Sequence, residues 1–176
     1  SAASDVYKRQ KYTYYILRLK NIINLKFYNY GVIMTMKEIF ENYKTIAVYG
    51  MSANPSKAAY TVPVFFLNKG YKIIPINPTA EEIAGQKVYK TIMDIPDNID
   101  ILNVFRPSEQ CFDVVKEAIE RNKKKGDIKL IWLQEGIINN DAKKLAEENG
   151  IQFIQDRCCL LYTSPSPRDS WASRMP

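Results

Sequence analysis

Three short loops, each following an apolar run, hold the residues of this sequence that are best suited to binding an anion. They are residues 50–57 (GMSANPSK), 105–108 (FRPS) and 134–136 (QEG). A loop that leads into a helix presents backbone N–H groups and the positive end of the helix dipole, which together can cradle a phosphate. Lys57 and Arg106 add fixed positive charge to these loops. The pattern predicts a site for a diphosphate or a 3′-phosphate.

The first loop departs from the dinucleotide-binding fingerprint G-x-G-x-x-G. That fingerprint requires glycine where this chain has Ser52 and Pro55, and an acidic residue near the end of the second strand for a ribose 2′-hydroxyl. The second strand here ends on Ile76 and is followed by Asn77 and Pro78. The sequence therefore disfavours NAD, whereas another phosphate-bearing nucleotide is compatible with it.

Histidine is absent from all 176 residues, which excludes several kinds of chemistry for this chain alone. The excluded kinds are Ser-His-Asp and Cys-His catalysis, a histidine-ligated metal and a phosphohistidine intermediate. The three cysteines lack the paired spacing of a zinc ribbon or a disulfide scaffold. No metal site is therefore predicted.

The remaining nucleophile and base candidates have structural alternatives. Cys158 has Arg157 before it, which favours a reactive thiolate, and Cys159 after it as an oxidisable neighbour. The alternative for Cys158 is a small packing residue at the end of the last strand, and Cys111 is interpreted as a core residue. Glu135 lies in a loop where a general base could act, but no substrate is identified for it. We therefore predict no catalytic residue.

Both ends of the chain differ in composition from its middle. The opening SAASDVYKRQ and the closing LYTSPSPRDSWASRMP resemble translated adapter sequence. Residues 11–33 consist mainly of the residue types that A/T-rich codons encode. We interpret residues 1–33 as a non-native leader before a start at Met34 or Met36, and residues 160–176 as a non-native tail.

Partners and location follow from where the charge lies. The net charge of +6 comes from the ends, because residues 34–159 hold 17 basic and 17 acidic side chains. A neutral domain matches nucleic acid poorly, and basic residues interrupt the apolar run of residues 11–33, so neither nucleic acid nor a membrane is an expected partner. The expected location is the cytoplasm, or the mitochondrion if residues 1–33 are a presequence. The oligomeric state is left open.

From Met36 onward, strand patterns alternate with helical patterns, which is typical of an α/β domain with a parallel sheet. The predicted strands are residues 45–49, 71–76, 100–105, 128–133 and 151–154. The predicted helices are residues 60–69, residues 108–121 and a helix capped by Asn139 or Asn140. Pro63 fits only if its helix starts near Thr61 or Val62, and Pro75 places the second strand at an edge. We predict a single doubly wound domain of about five mostly parallel strands, with helices on both faces and the three loops at the ligand-binding edge.

Five short motifs follow one another along the chain. They are Gly50-Met51-Ser52, Pro75-Ile76-Asn77-Pro78, Val104-Phe105-Arg106, Trp132-Leu133-Gln134-Glu135-Gly136 and Asp156-Arg157-Cys158. In this order they resemble the small stand-alone CoA-binding domain proteins, which are similar to the N-terminal Rossmann-like domain of the succinyl-CoA synthetase alpha subunit. The resemblance covers residues 36–159.

The resemblance implies a Rossmann-like fold that binds coenzyme A or an acyl-CoA across the strand ends. It implies that residues 50–54 contact the phosphates and adenosine, and that residues 134–136 lie toward the pantetheine. Asn77, Phe105 and Arg106 would frame the nucleotide. The expected binding residues are Gly50, Met51, Ser52, Ala53, Asn54, Lys57, Asn77, Pro78, Phe105, Arg106, Gln134, Glu135 and Gly136.

The chain departs from the family pattern at one position. Lys57-Ala58-Ala59-Tyr60 stands where Arg-x-Ser-Tyr is usual. An ammonium group lacks the planar fork with which arginine bonds a phosphate twice. Whether Lys57 replaces that arginine in full is left open.

The function expected from this resemblance is binding of CoA without catalysis, as a carrier, sensor or regulatory module. The synthetase requires a second domain with a phosphorylated histidine and a partner subunit, and this chain alone supplies neither. Two alternatives are an NAD(P)-linked oxidoreductase and a thiol redox protein that uses Cys158.

Overall fold

The computed structural model describes residues 27–29 and 32–162. The strands are β1 (Phe27–Asn29), β2 (Val32–Met34), β3 (Thr45–Tyr49), β4 (Lys72–Ile76), β5 (Glu82–Ile83), β6 (Gln86–Lys87), β7 (Ile101–Val104), β8 (Leu130–Leu133) and β9 (Gln152–Ile154). The α-helices are α1 (Met36–Asn42), α2 (Ala58–Asn68), α3 (Cys111–Lys125) and α4 (Asn140–Glu148). Short 3₁₀ helices lie at Ile92–Asp94, Ser108–Gln110 and Cys159–Tyr162.

Five of these strands form a parallel sheet in the order β4-β3-β7-β8-β9. In the middle of the sheet, Ala47 pairs with Ile74 on one side and with Leu102 on the other. An isolated parallel bridge between Ile76 and Tyr89 extends the sheet beyond β4. The prediction of a five-stranded doubly wound sheet is confirmed.

Helices cover both faces of the sheet, because its strands carry apolar side chains on both sides. On one face, Val115 of α3 and Ala146 of α4 belong to one buried cluster. On the other face, Phe40 of α1 and Phe66 of α2 stack with 5.4 Å between ring centroids. Trp132 packs against Phe40 there and is 1% exposed, so it belongs to the core.

Pro75 lies where the sheet tolerates it. β4 pairs with β3 on one side, and the carbonyl of Pro75 accepts the N–H of Tyr89 at 2.9 Å on the other. The N and O of one strand residue point to the same side, so the missing N–H of Pro75 belongs to the outer side of β4. The predicted edge position is confirmed.

The prediction that the helix containing Pro63 starts near Thr61 or Val62 is wrong. α2 begins at Ala58, so Pro63 lies in its second turn, where it is buried. Proline has no N–H to donate to the carbonyl of Ala59, four residues earlier. That carbonyl accepts the backbone N–H of Ser52 instead, at 3.1 Å. The loop after β3 thus supplies the hydrogen bond that proline cannot.

Other element boundaries differ from the predicted ones by a few residues. Asp100, predicted inside a strand, precedes β7, and its carboxylate accepts two backbone N–H groups at the start of β3, each at 3.0 Å. The helix predicted at residues 108–121 begins as a 3₁₀ turn and continues to Lys125, where Gly126 ends it with a φ of 65°. Asn139 caps α4, as one of the two predicted capping residues.

The terminal segments lie mostly outside the described residues. β1 and part of β2 fall within residues 1–33, and residues 163–176 are not described. The interpretation of the two ends as non-native sequence therefore stays a prediction. In the part of the chain that is described, no helix has both the length and the hydropathy that a membrane span requires.

Candidate functional site

The topological switch point of the sheet lies between β3 and β7, where the carboxyl ends of a doubly wound sheet form a crevice. The chain passes from β3 to β4 on one side, whereas β7 and the strands after it lie on the other side. Doubly wound sheets bind ligands at such a switch point. Residues 50–57 leave the end of β3 and residues 105–108 leave the end of β7. Two of the three predicted loops therefore meet here.

Gly50 is a point where these two loops lie very close together. Its φ is +83°, and a Cβ placed on it would lie 2.6 Å from the carbonyl oxygen of Phe105 and 3.3 Å from Cδ of Arg106. Both the conformation and the crowding require glycine. The missing side chain lets the backbone of the first loop lie directly against the second.

The N-terminus of α2 has no side-chain cap. Its N-cap residue is the exposed Lys57, which makes no capping hydrogen bond, and its first turn holds no acidic residue. The helices α1 and α4 are capped by Thr35 and Asn139. An uncapped N-terminus offers N–H groups and a positive partial charge to an anion. The first loop therefore ends in donors that suit a phosphate.

Hydrogen bonds fix the shape of the first loop. The N–H of Asn54 donates to Oγ of Ser52 at 3.0 Å, and the N–H and hydroxyl of Ser56 donate to Oδ1 of Asn54 at 2.9 and 2.7 Å. The N–H of Lys57 donates to the carbonyl of Asn54 at 3.1 Å. These N–H groups are already used within the protein. Anion binding by this loop therefore depends on the N-terminus of α2 and on the positive charge of Lys57. Ala53 is exposed beside them.

Asn77 joins the loop after β4 to the loop after β3. Its Nδ2 donates to the carbonyl of Met51 at 2.8 Å. Its Oδ1 accepts the N–H and hydroxyl of Thr79 and the N–H of Ala80. The side chain of Met51 is fully buried, and Pro78 is exposed at the same edge. Asn77 thus holds two loops together, a role that the sequence did not indicate.

Arg106 is held above the ring of Tyr49, with 5.9 Å from the guanidinium carbon to the ring centroid. The hydroxyl of Tyr49 donates to one carboxylate oxygen of Glu117 at 3.1 Å, and the other oxygen accepts the N–H of Ile92 at 2.8 Å. Burial, and then the charge of Glu117, raise the pKa of Tyr49, so its hydroxyl stays protonated. The half-buried Arg106 is therefore oriented by a fixed aromatic ring.

The third predicted loop combines one buried residue with two exposed ones. Gln134 is 5% exposed, and its Nε2 donates to Oδ1 of Asn103 at 2.8 Å and to Sγ of Cys159 at 3.1 Å. Glu135 and Gly136 are exposed. Gln134 therefore anchors the turn to the interior through its hydrogen bonds, and Glu135 and Gly136 form the exposed surface of the turn.

Lys69 and Lys72 lie away from the crevice, at the opposite edge of the sheet. The ammonium of Lys69 lies 5.6 Å from the ring centroid of Phe65, and Lys72 pairs with Asp97 at 2.6 Å. Both are exposed, so they are solvated surface lysines.

Two of the three cysteines are buried thiols. Burial raises the pKa of Cys111 to about 11 and the pKa of Cys159 to about 12. Cys111 is fully buried, as predicted. Cys158 is half-buried, so the packing role proposed for it belongs to Cys159. Among the residues that the structure describes, no cluster of cysteine and acidic side chains could hold a metal ion.

Four residues that are not among the predicted binding residues also shape this edge. Tyr49, Glu117 and Pro63 orient the two loops of the crevice, and Asp156 contacts the third loop. Tyr49 had a usable signal, since it directly precedes Gly50 at a strand end. Glu117 had none, because its partner Tyr49 lies 68 residues away.

These features define a class of protein. A Rossmann-like domain has at its switch point a crowded glycine, an uncapped helix N-terminus and an arginine that lies over a tyrosine ring. This combination suits an anionic nucleotide.

Comparison with known proteins identifies the family. Residues 44–164 match the family described as CoA binding domain, and the chain belongs to it. The uncharacterized protein YneT of Bacillus subtilis is 38% identical over 123 residues, which are 70% of this chain and 87% of the Bacillus protein. The resemblance to stand-alone CoA-binding domain proteins is confirmed.

Larger ligases and a solved structure share the domain. An ADP-forming acetate–CoA ligase of Methanocaldococcus jannaschii is 30% identical over 122 residues, which are 65% of this chain but only 17% of the ligase. A hypothetical protein from Pyrococcus horikoshii OT3 superimposes with a TM-score of 0.66 and 35% identity, over 73% of this chain and 89% of the Pyrococcus chain. The chain therefore spans a small part of the ligase and most of the small Pyrococcus protein.

Proposed function

We propose that this chain binds coenzyme A or an acyl-CoA at the carboxyl edge of its sheet, as a carrier, sensor or regulatory module rather than a catalyst. Family membership supports CoA as the ligand. The observation that carries the proposal is the position of Arg106, which lies over the ring of Tyr49 and next to Gly50 at the switch point.

CoA carries a diphosphate and a 3′-phosphate, and the crevice offers two positive elements for them. Arg106 presents a guanidinium that can bond one phosphate through two N–H groups. The N-terminus of α2 has no side-chain cap and carries the positive end of the helix dipole, with the ammonium of Lys57 beside it as a point charge. Each element suits one of the two anionic groups.

An extended ligand would cross the strand ends. Asn77 and Pro78 lie at the end of β4, and Glu135 and Gly136 lie at the end of β8. Neighbouring strands are about 4.8 Å apart, so a molecule as long as CoA spans several of them. In this orientation the nucleotide lies over β4 and β3, and the pantetheine lies over β7 and β8.

The proposal that the domain binds without catalysis rests on the candidate nucleophiles. Cys111 and Cys159 are buried thiols with raised pKa values, which disfavours a nucleophilic thiolate. The redox alternative therefore depends on Cys158, and the NAD(P) alternative lacks glycine at Ser52 and Pro55.

Substitution of Arg106 tests the proposed site. Because each hydrogen bond between a charged donor and phosphate contributes about 1.5–3 kcal/mol, Arg106→Ala should weaken CoA binding about tenfold to a hundredfold in calorimetric titration. Lys69→Ala, which removes a positive charge at the opposite edge, should leave the affinity unchanged. Equal losses in both variants, or no loss in Arg106→Ala, would contradict the site.

A further inference from the structure

The motif Asp156-Arg157-Cys158 lies outside the crevice between β3 and β7, yet it makes specific contacts with the turn of residues 134–136. Oδ1 of Asp156 accepts the N–H of Gly136 at 2.8 Å. The N–H of Asp156 donates to the carbonyl of Ile137 at 3.2 Å. One residue thus bonds both a donor and an acceptor of the polypeptide at the exposed end of this turn.

The residues after Asp156 hold the other end of the same turn. The carbonyl of Arg157 accepts Nε1 of Trp132 at 2.7 Å. Sγ of Cys159 accepts Nε2 of Gln134 at 3.1 Å. Residues 156–159 therefore bond the chain on both sides of the turn, before it and after it.

A second anchor connects the turn to the loop of Arg106. The N–H of Ile138 donates to Oγ of Ser108 at 3.0 Å, and Nδ2 of Asn139 donates to the carbonyl of Ser108 at 2.7 Å. Ser108 lies two residues after Arg106. The turn is thus fixed relative to the charge that is proposed to bind phosphate.

The backbone of Asp156 has a left-handed φ of 54°. Among residues other than glycine, aspartate and asparagine adopt this conformation most readily. Asp156 is exposed, so its side chain does not stabilise the fold by burial. The contribution of the side chain is its hydrogen bond to Gly136. The conformation aims the carboxylate at the turn.

We propose that Asp156 is a positioning residue that fixes the turn of residues 134–136 for the thiol-bearing arm of the ligand. This inference rests on the proposed function, which already directs the pantetheine toward this turn, and it adds Asp156 as the residue that holds the turn in place. In the proposed site the phosphates lie at the switch point between β3 and β7. The next strand, β8, is on the side of β7 that faces away from Asn77. The arm crosses β7 and reaches the surface formed by Glu135 and Gly136.

Two substitutions separate the hydrogen bond from the backbone conformation. Asp156→Gly removes the carboxylate and keeps the left-handed φ accessible, and Asp156→Asn keeps both an Oδ1 acceptor and that φ. The full chain is titrated calorimetrically with CoA and with adenosine 3′,5′-bisphosphate, which lacks the pantetheine arm. We expect Asp156→Gly to weaken CoA binding about tenfold and bisphosphate binding by less than about twofold, with Asp156→Asn close to wild type.

Equal losses for the two ligands in Asp156→Gly, or an unchanged CoA affinity, would overturn the inference. A wild-type chain that binds neither ligand would overturn the proposed function itself, which is a distinct result. If Asp156→Gly does not fold, the amide NMR signal of Gly136 in the wild-type chain provides the test. The signal should shift on addition of CoA and stay in place with the bisphosphate, and an unchanged signal with CoA would refute the assignment.

Discussion

At the scale of single residues, the crevice depends on the absence of a side chain at Gly50 and on the fixed position of Arg106. Gly50 leaves room for the carbonyl oxygen of Phe105 and the aliphatic part of Arg106. Tyr49, the preceding residue, provides the ring on which the guanidinium lies. Two consecutive residues of β3 and its loop therefore determine where the positive charge stands.

Gly50→Ala should lower stability and CoA binding by more than the strain of a positive φ alone would cause. Gly70 is a matched control, because its φ of +85° is close to the +83° of Gly50 and a Cβ there meets nothing within 4 Å. Gly70→Ala should cost about 1–2 kcal/mol of unfolding free energy and preserve CoA binding. Gly50→Ala should cost about 1–3 kcal/mol more and weaken CoA binding, because its Cβ overlaps the Phe105 carbonyl. Chemical denaturation and calorimetry measure both effects, and equal effects in the two variants would refute the crowding argument.

At the scale of elements, α2 and the first loop form one hydrogen-bonded unit. Pro63 leaves the carbonyl of Ala59 without its helical donor, and the N–H of Ser52 takes that place. A feature that weakens the helix therefore anchors the loop that leads to its N-terminus.

Pro63→Ala should loosen the loop without weakening the helix. Alanine restores an N–H that competes with Ser52 for the carbonyl of Ala59, and alanine is the better helix former. We expect the free energy of unfolding to stay equal or rise, while hydrogen exchange at the Ser52 amide accelerates. CoA affinity should fall about threefold to tenfold, the range for one neutral hydrogen bond. Unchanged protection of the Ser52 amide would show that Pro63 does not anchor the loop.

The sequence predicted what local patterns determine and missed what depends on distant contacts. The apolar run of β3 and the glycine after it revealed the strand, the loop and their place at the carboxyl edge of the sheet. The start of α2 could not be predicted, because the donor that makes Pro63 acceptable belongs to Ser52. The hydrogen bonds from the amide of Gln134 to Asn103 and Cys159 could not be predicted either, because both join residues far apart in sequence. The role of Gln134 toward a ligand stays a prediction.

At the scale of the whole molecule, a buried ion pair ties the segment before β7 to the end of α3. The guanidinium of Arg121 is 1% exposed and bonds Asp127 at 2.6 Å, as well as the carbonyls of Ile92 and Ile95. Burial raises the pKa of Asp127, but the hydrogen bonds from Arg121 and from the N–H of Ile99 outweigh burial and leave that pKa below its usual value. This pair stabilises the face of the sheet opposite α1 and α2.

The pH dependence of stability follows from the sign of this shift. Because the pKa of Asp127 is lower in the folded state, its contribution is present above the ordinary aspartate pKa of about 3.9 and is lost as the pH falls through the folded value. Asp127→Asn should lower the free energy of unfolding by about 3–5 kcal/mol at pH 7 and flatten its dependence on pH below about 4. Thermal unfolding between acidic and neutral pH measures both effects.

Asp113→Asn provides the control, since Asp113 pairs with Lys116 at 3.4 Å on the surface. Surface pairs contribute little, so this variant should keep nearly all of the wild-type stability and its acid dependence. An Asp127→Asn curve that coincides with the Asp113→Asn curve would contradict the role given to the buried pair.

The central claim is that this chain binds CoA through the anionic groups of its nucleotide. Calorimetric titration of the full chain with CoA, dephospho-CoA and NADPH tests it most directly. We predict micromolar or tighter binding of CoA, no competition from NADPH, and weaker binding of dephospho-CoA if Arg106 or Lys57 contacts the 3′-phosphate. Equal binding of the two CoA forms would assign these charges to the diphosphate. Binding of NADPH alone, or of none of the three ligands, would contradict the account.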